Sequence, residues 1–212
     1  MARVALRNWI AAMALASVLG VAAAAPAQAQ SGLYSEGYQF LEAVKDKDGD
    51  KVSEMLNTPG STVINARELG SGRSAMHIVV ERRDVLWINF LEQQGANVDI
   101  RDERGITPLM LAVQLGFIEG VERLVHHGAR VDITNNQGET PLMYAVHSRN
   151  TELMRILLEA GADPDRNDNS GRSAREYAQL RGENDITNEI IARYEVPEDE
   201  RAGGGATYGP SF

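Results

Sequence analysis

The chain has 212 residues, 43% of them hydrophobic, and a formal charge of −9 at pH 7, which suits one domain of ordinary size. An acidic chain repels phosphate backbones, and the sequence has no basic stripe to offset this, so it excludes nucleic-acid binding. The absence of cysteine excludes thiol catalysis, thiolate metal sites and disulfides.

The first 29 residues are organised like a cleavable export signal. Two arginines precede a largely apolar run over residues 9–25, and Ala-Gln-Ala at 27–29 matches an A-x-A cleavage site. The run is shorter than the ~20 residues of a membrane-spanning helix, so we expect cleavage after Ala29; an uncleaved anchor is the alternative. Cleavage leaves 19 basic and 30 acidic side chains, a net charge of −11. The leader predicts a bacterial protein in the periplasm, with full secretion as the alternative.

The remaining chain repeats one phrase with a period of 33 residues. Glycines mark the register, and each precedes a related phrase: "RSAMHIVV", "ITPLMLAV", "ETPLMYAV" and "RSAREYAQ". An Asp or Asn stands three positions before three of these glycines. The marking positions are Gly72, Gly105, Gly138 and Gly171, with Asp102, Asn135 and Asp168 before the last three. A fixed period of this length predicts a stack of repeated units.

Each residue of the phrase has a structural task. Gly105 tolerates positive φ and Asp102 can bond the backbone of a tight turn, so together they predict a projecting finger. Thr107 is a good N-cap and Pro108 suits the first helical position, so a helix starts there. Gly116 ends that helix, and a second apolar stripe then predicts a second helix. The second helices are expected to end at Gly95, Gly128 and Gly161.

This pattern resembles the ankyrin repeat, a β-turn followed by two antiparallel helices around "T-P-L-H-x-A". The resemblance covers residues 38–194 and implies an all-α repeat solenoid of about five units, with atypical units at both ends. Residues 30–37 are then a linker, and the acidic, glycine-rich segment 195–212 is expected to be disordered. The predicted units are 38–71, 72–104, 105–137, 138–170 and 171–194.

The sequence departs from the family pattern at its histidine. His77 is the one that remains, and it can bond Ser74; Met110, Met143 and Glu176 stand at the equivalent positions. The resemblance implies a structural role for this histidine, so its loss carries no catalytic meaning.

Two stretches of the sequence resemble calcium-binding loops. In residues 46–50, "DKDGD", three aspartates have the right spacing, but Lys51 and Asn57 stand where glycine and glutamate are required. In residues 165–176 the glycine comes one place late, at Gly171, where the 33-residue register demands it. We therefore interpret the first stretch as a turn between helices and the second as a finger, with calcium binding as the alternative for the second.

The sequence shows no recognisable catalytic, metal-binding or nucleotide-binding motif. His126 and His127 suit a helix C-terminus, and no "HExxH", phosphate loop, dinucleotide fingerprint or nucleophile elbow occurs. Phe117, Trp87 and Phe90 are assigned to packing. We expect no enzyme activity, no cofactor and no metal.

The remaining hypothesis is a binding module. The resemblance implies a concave face formed by the fingers and the first helices, which would bind another protein and no membrane; the free chain is expected to be a monomer. Alternatives are a chaperone-like or stress-protective factor that shields an exported enzyme, and a calcium-stabilised structural stack. The expected partner-binding residues are Arg73, Glu103, Arg104, Ile106, Gln137, Glu139 and Arg172 in the fingers, and Glu81, Arg82, Gln114, Leu115, His147 and Ser148 in the first helices.

Overall fold

The structure is a computed structural model that describes residues 35–182 and 184–194. The predicted leader, most of the linker and the segment 195–212 lie outside these residues. The described residues contain ten α-helices and one short 3₁₀ helix, at Val63–Asn65. The α-helices are α1 Glu36–Lys45, α2 Gly49–Asn57, α3 Ala75–Glu81, α4 Val85–Gln93, α5 Pro108–Gln114, α6 Ile118–His126, α7 Pro141–His147, α8 Thr151–Glu159, α9 Ala174–Gln179 and α10 Ile186–Arg193.

The helices form five pairs stacked in two layers. Within each pair the two helices contact each other, as α5 contacts α6 and α7 contacts α8. The first helices α1, α3, α5, α7 and α9 contact one another in sequence order, and the second helices α4, α6, α8 and α10 do the same. The predicted all-α repeat solenoid is therefore confirmed. The longest described helix, α1, has ten residues, and none in the described part of the chain could cross a membrane.

The predicted helix starts are confirmed in the two best-matching repeats. The Thr107 side chain accepts a hydrogen bond from the Met110 amide, and Pro108 occupies the first turn of α5. Thr140 does the same for the Met143 amide at the start of α7. A cap of this kind contributes about 1 kcal/mol. Such short helices depend on it, because six or seven residues are too few to be stable alone.

Three of the four fingers are closed by the Asp or Asn side chain that stands three positions before the glycine. The Oδ1 atom of Asp102 accepts hydrogen bonds from the Arg104 and Ile106 amides at 2.9 and 2.8 Å. Asn135 and Asp168 bond the equivalent amides of their own fingers. Gly105 has a φ of +79°, which a residue with a side chain adopts only under strain. The four fingers are residues 68–73, 102–106, 135–139 and 168–172.

Adjacent fingers are joined through their backbones. The amide of Glu103 donates to the Ser71 carbonyl at 3.0 Å, Asn136 donates to Arg104 at 3.0 Å, and Asn169 donates to Gln137 at 2.9 Å. The side-chain amides of Asn136 and Asn169 donate to the preceding finger as well. The fingers are therefore one hydrogen-bonded row rather than four separate loops.

A second inter-unit row lies after the second helices. The carboxylate of Asp99 accepts from the backbone amide of Arg130 at 3.0 Å, and Asp132 accepts from Asp163 at 3.1 Å. These acids end the recurring "GA-x-V-D" phrase. Their position explains why the phrase ends in an acid, since each one bonds the equivalent loop of the next unit.

The apolar core runs continuously through the stack. The buried side chains include Phe40 and Val52 in the first pair and Ile190 and Ile191 in the last. Phe117 is 7% exposed, and Trp87 and Phe90 pack against the core with an edge-on ring contact at 5.4 Å. The assignment of these aromatic residues to packing is confirmed.

His77 is a buried link between two units. Its Nδ1 accepts from the Ser74 amide at 3.2 Å, so Nε2 carries the proton and donates to the Ile106 carbonyl at 2.9 Å. The predicted bond to Ser74 is therefore confirmed. Burial lowers the pKa of His77, and the bond to Ile106 and the charge of Asp102 offset this only in part.

We expect the free energy of unfolding to decrease as the pH falls below about 6.5, the ordinary pKa of histidine. Below that pH the unfolded chain protonates His77 and the folded chain does not, which costs up to about 1.4 kcal/mol per pH unit until the lowered folded pKa is reached. The substitution His77→Met, which copies Met110 and Met143, removes this contribution. Urea unfolding of both proteins at neutral and mildly acidic pH measures it. An identical pH dependence in both would contradict the assignment.

Candidate binding surface

The candidate surface consists of the fingers and the adjoining exposed face of the first helices, which we call the palm. The 33-residue register repeats its positions. Six residues after each finger glycine come Ile78, Leu111, Tyr144 and Tyr177, along α3, α5, α7 and α9; Ile78 is buried and the other three are half-buried. Nine residues after it come Glu81, Gln114, His147 and Leu180. The palm therefore has two rows of positions, and most of their side chains differ from unit to unit.

Most of the predicted partner-binding residues lie at the surface. Arg73, Leu115 and Glu139 are half-buried, and Arg73 forms an ion pair with Glu81 at 2.7 Å. The exposed residues are Glu81, Glu103, Arg104, Gln114, Gln137, His147, Ser148 and Arg172.

Two of the predicted partner-binding residues, Ile106 and Arg82, form contacts within the repeat stack. The expectation that Ile106 is presented at the surface is wrong, because its side chain is 4% exposed and its carbonyl accepts from His77 and the Asp102 amide. Arg82 is half-buried; it bonds the Val44 carbonyl and Asp84, and its guanidinium lies 5.0 Å from the Trp87 ring. Arg82 therefore connects the first two units.

Sequence reasoning missed the most apolar part of the palm. Tyr144 and Tyr177 are half-buried, and Leu180 is 69% exposed. The His147 ring meets the Tyr177 ring edge-on, with centroids 4.5 Å apart. The glycine register could have found these residues, since they lie six and nine positions after Gly138 and Gly171. Another missed residue is Leu69, which is 100% exposed in the first finger.

The two tyrosines attach their fingers to the palm. The Tyr177 hydroxyl donates to Asp168 at 2.6 Å, and the Tyr144 hydroxyl donates to Glu139 at 2.8 Å. Burial and the bond to Glu139 raise the pKa of Tyr144 to about 12. Burial alone would raise the pKa of Asp168, but hydrogen bonds from Tyr177, Ser170 and the Arg172 amide outweigh it and hold the pKa well below its ordinary value. Both groups therefore keep their charge state at neutral pH.

We expect Tyr177→Phe to loosen the fourth finger. The substitution removes a hydrogen bond to a charged group, which contributes about 1 kcal/mol or more, and leaves the ring contact with His147 in place. Hydrogen exchange at the Ser170 and Arg172 amides should accelerate, whereas exchange at the Arg104 amide of the second finger should not. Equal exchange before and after the substitution would show that the tyrosine does not hold the finger.

The stretches that imitate calcium loops have structural roles. Residues 46–48 form the predicted turn between α1 and α2, and Asp48 caps α2 through the Lys51 amide. In the fourth finger, Glu176 accepts from the Ser173 amide and caps its own helix. Within the described residues, no cluster of three or more histidine or acidic side chains has a metal-binding arrangement.

A cavity of about 460 Å³ lies away from the palm, at the turns between first and second helices. Its lining includes Lys47, Arg83, Asp84 and Leu86. Lys47 pairs with Asp84 at 2.9 Å, and Arg83 donates to the Leu115 carbonyl. The lining is thus largely charged and already bonded within the chain, which does not favour a small apolar ligand.

The comparison with known families agrees with this architecture. The model for ankyrin repeats in three copies matches residues 40–135, and the model for ankyrin repeats in many copies matches residues 124–178. Together they span residues 40–178, more than half of the 212-residue chain. Ankyrin repeats generally form scaffolds for protein–protein interaction without catalysing reactions. The chain belongs to the ankyrin-repeat family.

Proposed function

We propose that this protein is an exported interaction module that binds one folded protein through its palm and fingers. The observation that supports the proposal most strongly is the pairing of a rigid frame with variable side chains. The finger backbones form one hydrogen-bonded row, while the palm positions carry Glu81, Gln114, His147 and Leu180 at equivalent places. A frame that is already ordered loses little conformational entropy on binding.

The chemistry of the palm suits a protein surface. Tyrosine and arginine are enriched at the energetically important centres of interfaces, and Tyr144, Tyr177, Arg104 and Arg172 are at least partly exposed. An exposed leucine lies beside them, at Leu180. We expect this C-terminal half of the palm to carry most of the binding energy.

Export is the second part of the proposal. It rests on the first 29 residues, whose two arginines, apolar run and Ala-Gln-Ala site match a cleaved leader. A periplasmic partner is therefore proposed.

Pull-down after crosslinking in cells tests the binding surface. The palm variant changes Arg104, His147, Arg172 and Leu180 to alanine; all four are exposed. The matched control changes four exposed residues of the second helices, Glu122, Arg123, Glu152 and Arg155. One folded protein captured by the native chain and the control, but not by the palm variant, is the expected result. A broad mixture captured equally by all three would favour a chaperone-like factor instead.

A further inference from the structure

We propose that the C-terminal end of the finger row is a docking edge, which receives a tight turn of the partner protein that carries an asparagine. The edge consists of the backbone carbonyls of Asn169 and Ser170 beside Gly171. The inference rests on the proposed function, since the occupant belongs to the partner. It adds the chemistry that the partner presents at one end of the row.

The inner joints of the finger row all use the same backbone bond. The amide two positions before a finger glycine donates to the carbonyl one position before the glycine of the preceding finger, and the three donors are Glu103, Asn136 and Asn169. The side-chain amides of Asn136 and Asn169 also donate, at 2.9 and 3.0 Å, to the Glu103 and Asn136 carbonyls. Two of the three joints therefore combine a backbone donor with an asparagine donor.

The fourth finger presents the same acceptors without a following finger. By register these are the carbonyls of Asn169 and Ser170, both on exposed residues, and no residue in the described part of the chain donates to either. A Cβ added at any of the three preceding finger glycines would lie 2.7–2.9 Å from the backbone nitrogen of the next finger. One added at Gly171 meets no atom within 4 Å. The edge is therefore open on the side where a further finger would lie.

The fourth finger is held in this geometry by its own unit. One carboxylate oxygen of Asp168 accepts from the Ser170 amide at 2.8 Å and from the Arg172 amide at 3.1 Å. The Tyr177 hydroxyl donates to the other oxygen at 2.6 Å, and the Gly171 amide donates to the Asp168 carbonyl at 3.0 Å. Because the two acceptor carbonyls are already positioned, little binding free energy is lost in ordering the edge.

A turn of another protein suits the edge better than a second copy of this chain. The first finger of a second copy would present Gly70 at the donor position, and glycine has no side-chain amide. The outer face of the last unit is also polar, because Glu176 and Gln179 are exposed where the inner units bury a histidine or methionine and a valine. The buried equivalents are His77, Met110, Met143, Val80, Val113 and Val146. Stacking a second copy there would join no apolar faces.

A cyclic peptide that copies the third finger tests the proposal. The peptide is "ITNNQGET", residues 133–140, closed by a disulfide between two added terminal cysteines. At millimolar concentration it should shift the NMR amide signals of residues 169–172 in the isotope-labelled full chain and leave those of α1 and α2 unchanged. The Asn136 amide makes no bond inside its own finger, so N-methylation of this amide in the peptide removes only the donor. It should weaken binding by roughly tenfold or more.

Gly171→Ala tests the edge from the side of the protein. The added Cβ meets no atom of the described chain within 4 Å, but by register it lies where a docked turn places its amide, so the peptide-induced shifts should disappear. Gly128→Ala is the matched control. Its φ is +81° against +82° at Gly171, and its Cβ also meets nothing within 4 Å, so this variant should bind the peptide as the unmodified chain does.

Unchanged signals at residues 169–172 would overturn the proposal, and so would equal peptide binding by the unmodified chain and Gly171→Ala. Shifts that follow protein concentration without peptide would assign the edge to a second copy. Shifts on deletion of residues 195–212 would assign it to the chain's own segment. Each of these results leaves the palm untouched, since partner capture that is lost in the palm variant would still support the proposed function. Peptide binding without any partner capture would contradict the proposed function and leave the edge in place.

Discussion

Gly138→Ala should destabilise the protein far more than Gly171→Ala, although both glycines have the same role in their fingers. Their φ angles are +80° and +82°, so each alanine costs about 1–2 kcal/mol in backbone strain. At Gly138 a Cβ would also lie 2.7 Å from the backbone nitrogen of Asn169 in the next finger, whereas at Gly171 nothing lies within 4 Å.

The difference between these two variants measures the finger row. Separating the third and fourth fingers sacrifices the hydrogen bonds of the Asn169 amide and side chain, each contributing about 1 kcal/mol. We therefore expect a total loss of about 3–4 kcal/mol for Gly138→Ala, against about 1–2 for Gly171→Ala. Urea unfolding monitored by circular dichroism gives both values. Equal losses would mean that the fingers do not support one another.

Phe117→Ala should cost about 3–5 kcal/mol, the usual range for a large aromatic residue removed from a core. Phe117 stands at the N-cap of α6, where the neighbouring units have Asp84 and Asn150 as capping residues. Its ring fits so closely that a Cβ on Gly120 would overlap it, and the Arg83 guanidinium lies 5.9 Å from it. At the start of α6 the Phe117 side chain therefore contributes packing, where the neighbouring units have a capping hydrogen bond.

Leu86→Ala is the control for this prediction. Leu86 is also an apolar residue in the first turn of a second helix, but it is 80% exposed, so its loss should change the free energy of unfolding by less than about 0.5 kcal/mol. Thermal and urea unfolding of both variants measure the contrast. A small loss for Phe117→Ala would show that its ring is not part of the cooperative core.

The repeating phrase was sufficient to predict the local structure. Threonine, proline and glycine act on backbone within a few residues, so Thr107, Pro108 and Gly116 could be assigned their tasks from the sequence alone. The closing role of Asp102 could also be predicted, because its partners are two and four residues away.

Contacts between units were harder to predict. Asp99 bonds an amide 31 residues later, and His77 bonds a carbonyl 29 residues later. At such sequence separations the bonding partner cannot be identified from the sequence alone. Ile106 was misassigned for this reason: the finger position predicts exposure, but the side chain is 4% exposed, and its carbonyl bonds His77 of the preceding unit. Tyr177 and Leu180 were missed because the fourth phrase is degenerate, although the glycine register still places them on the palm.

Site-specific photocrosslinking in cells tests most directly whether the palm is the binding surface. A photoreactive amino acid is introduced at Gln114 on the palm or at Glu122 on the second helix of the same unit, both of which are exposed. The proposal predicts a single covalent adduct of defined mass from position 114 and none from position 122. An adduct from position 122 alone, or equal adducts from both positions, would contradict it.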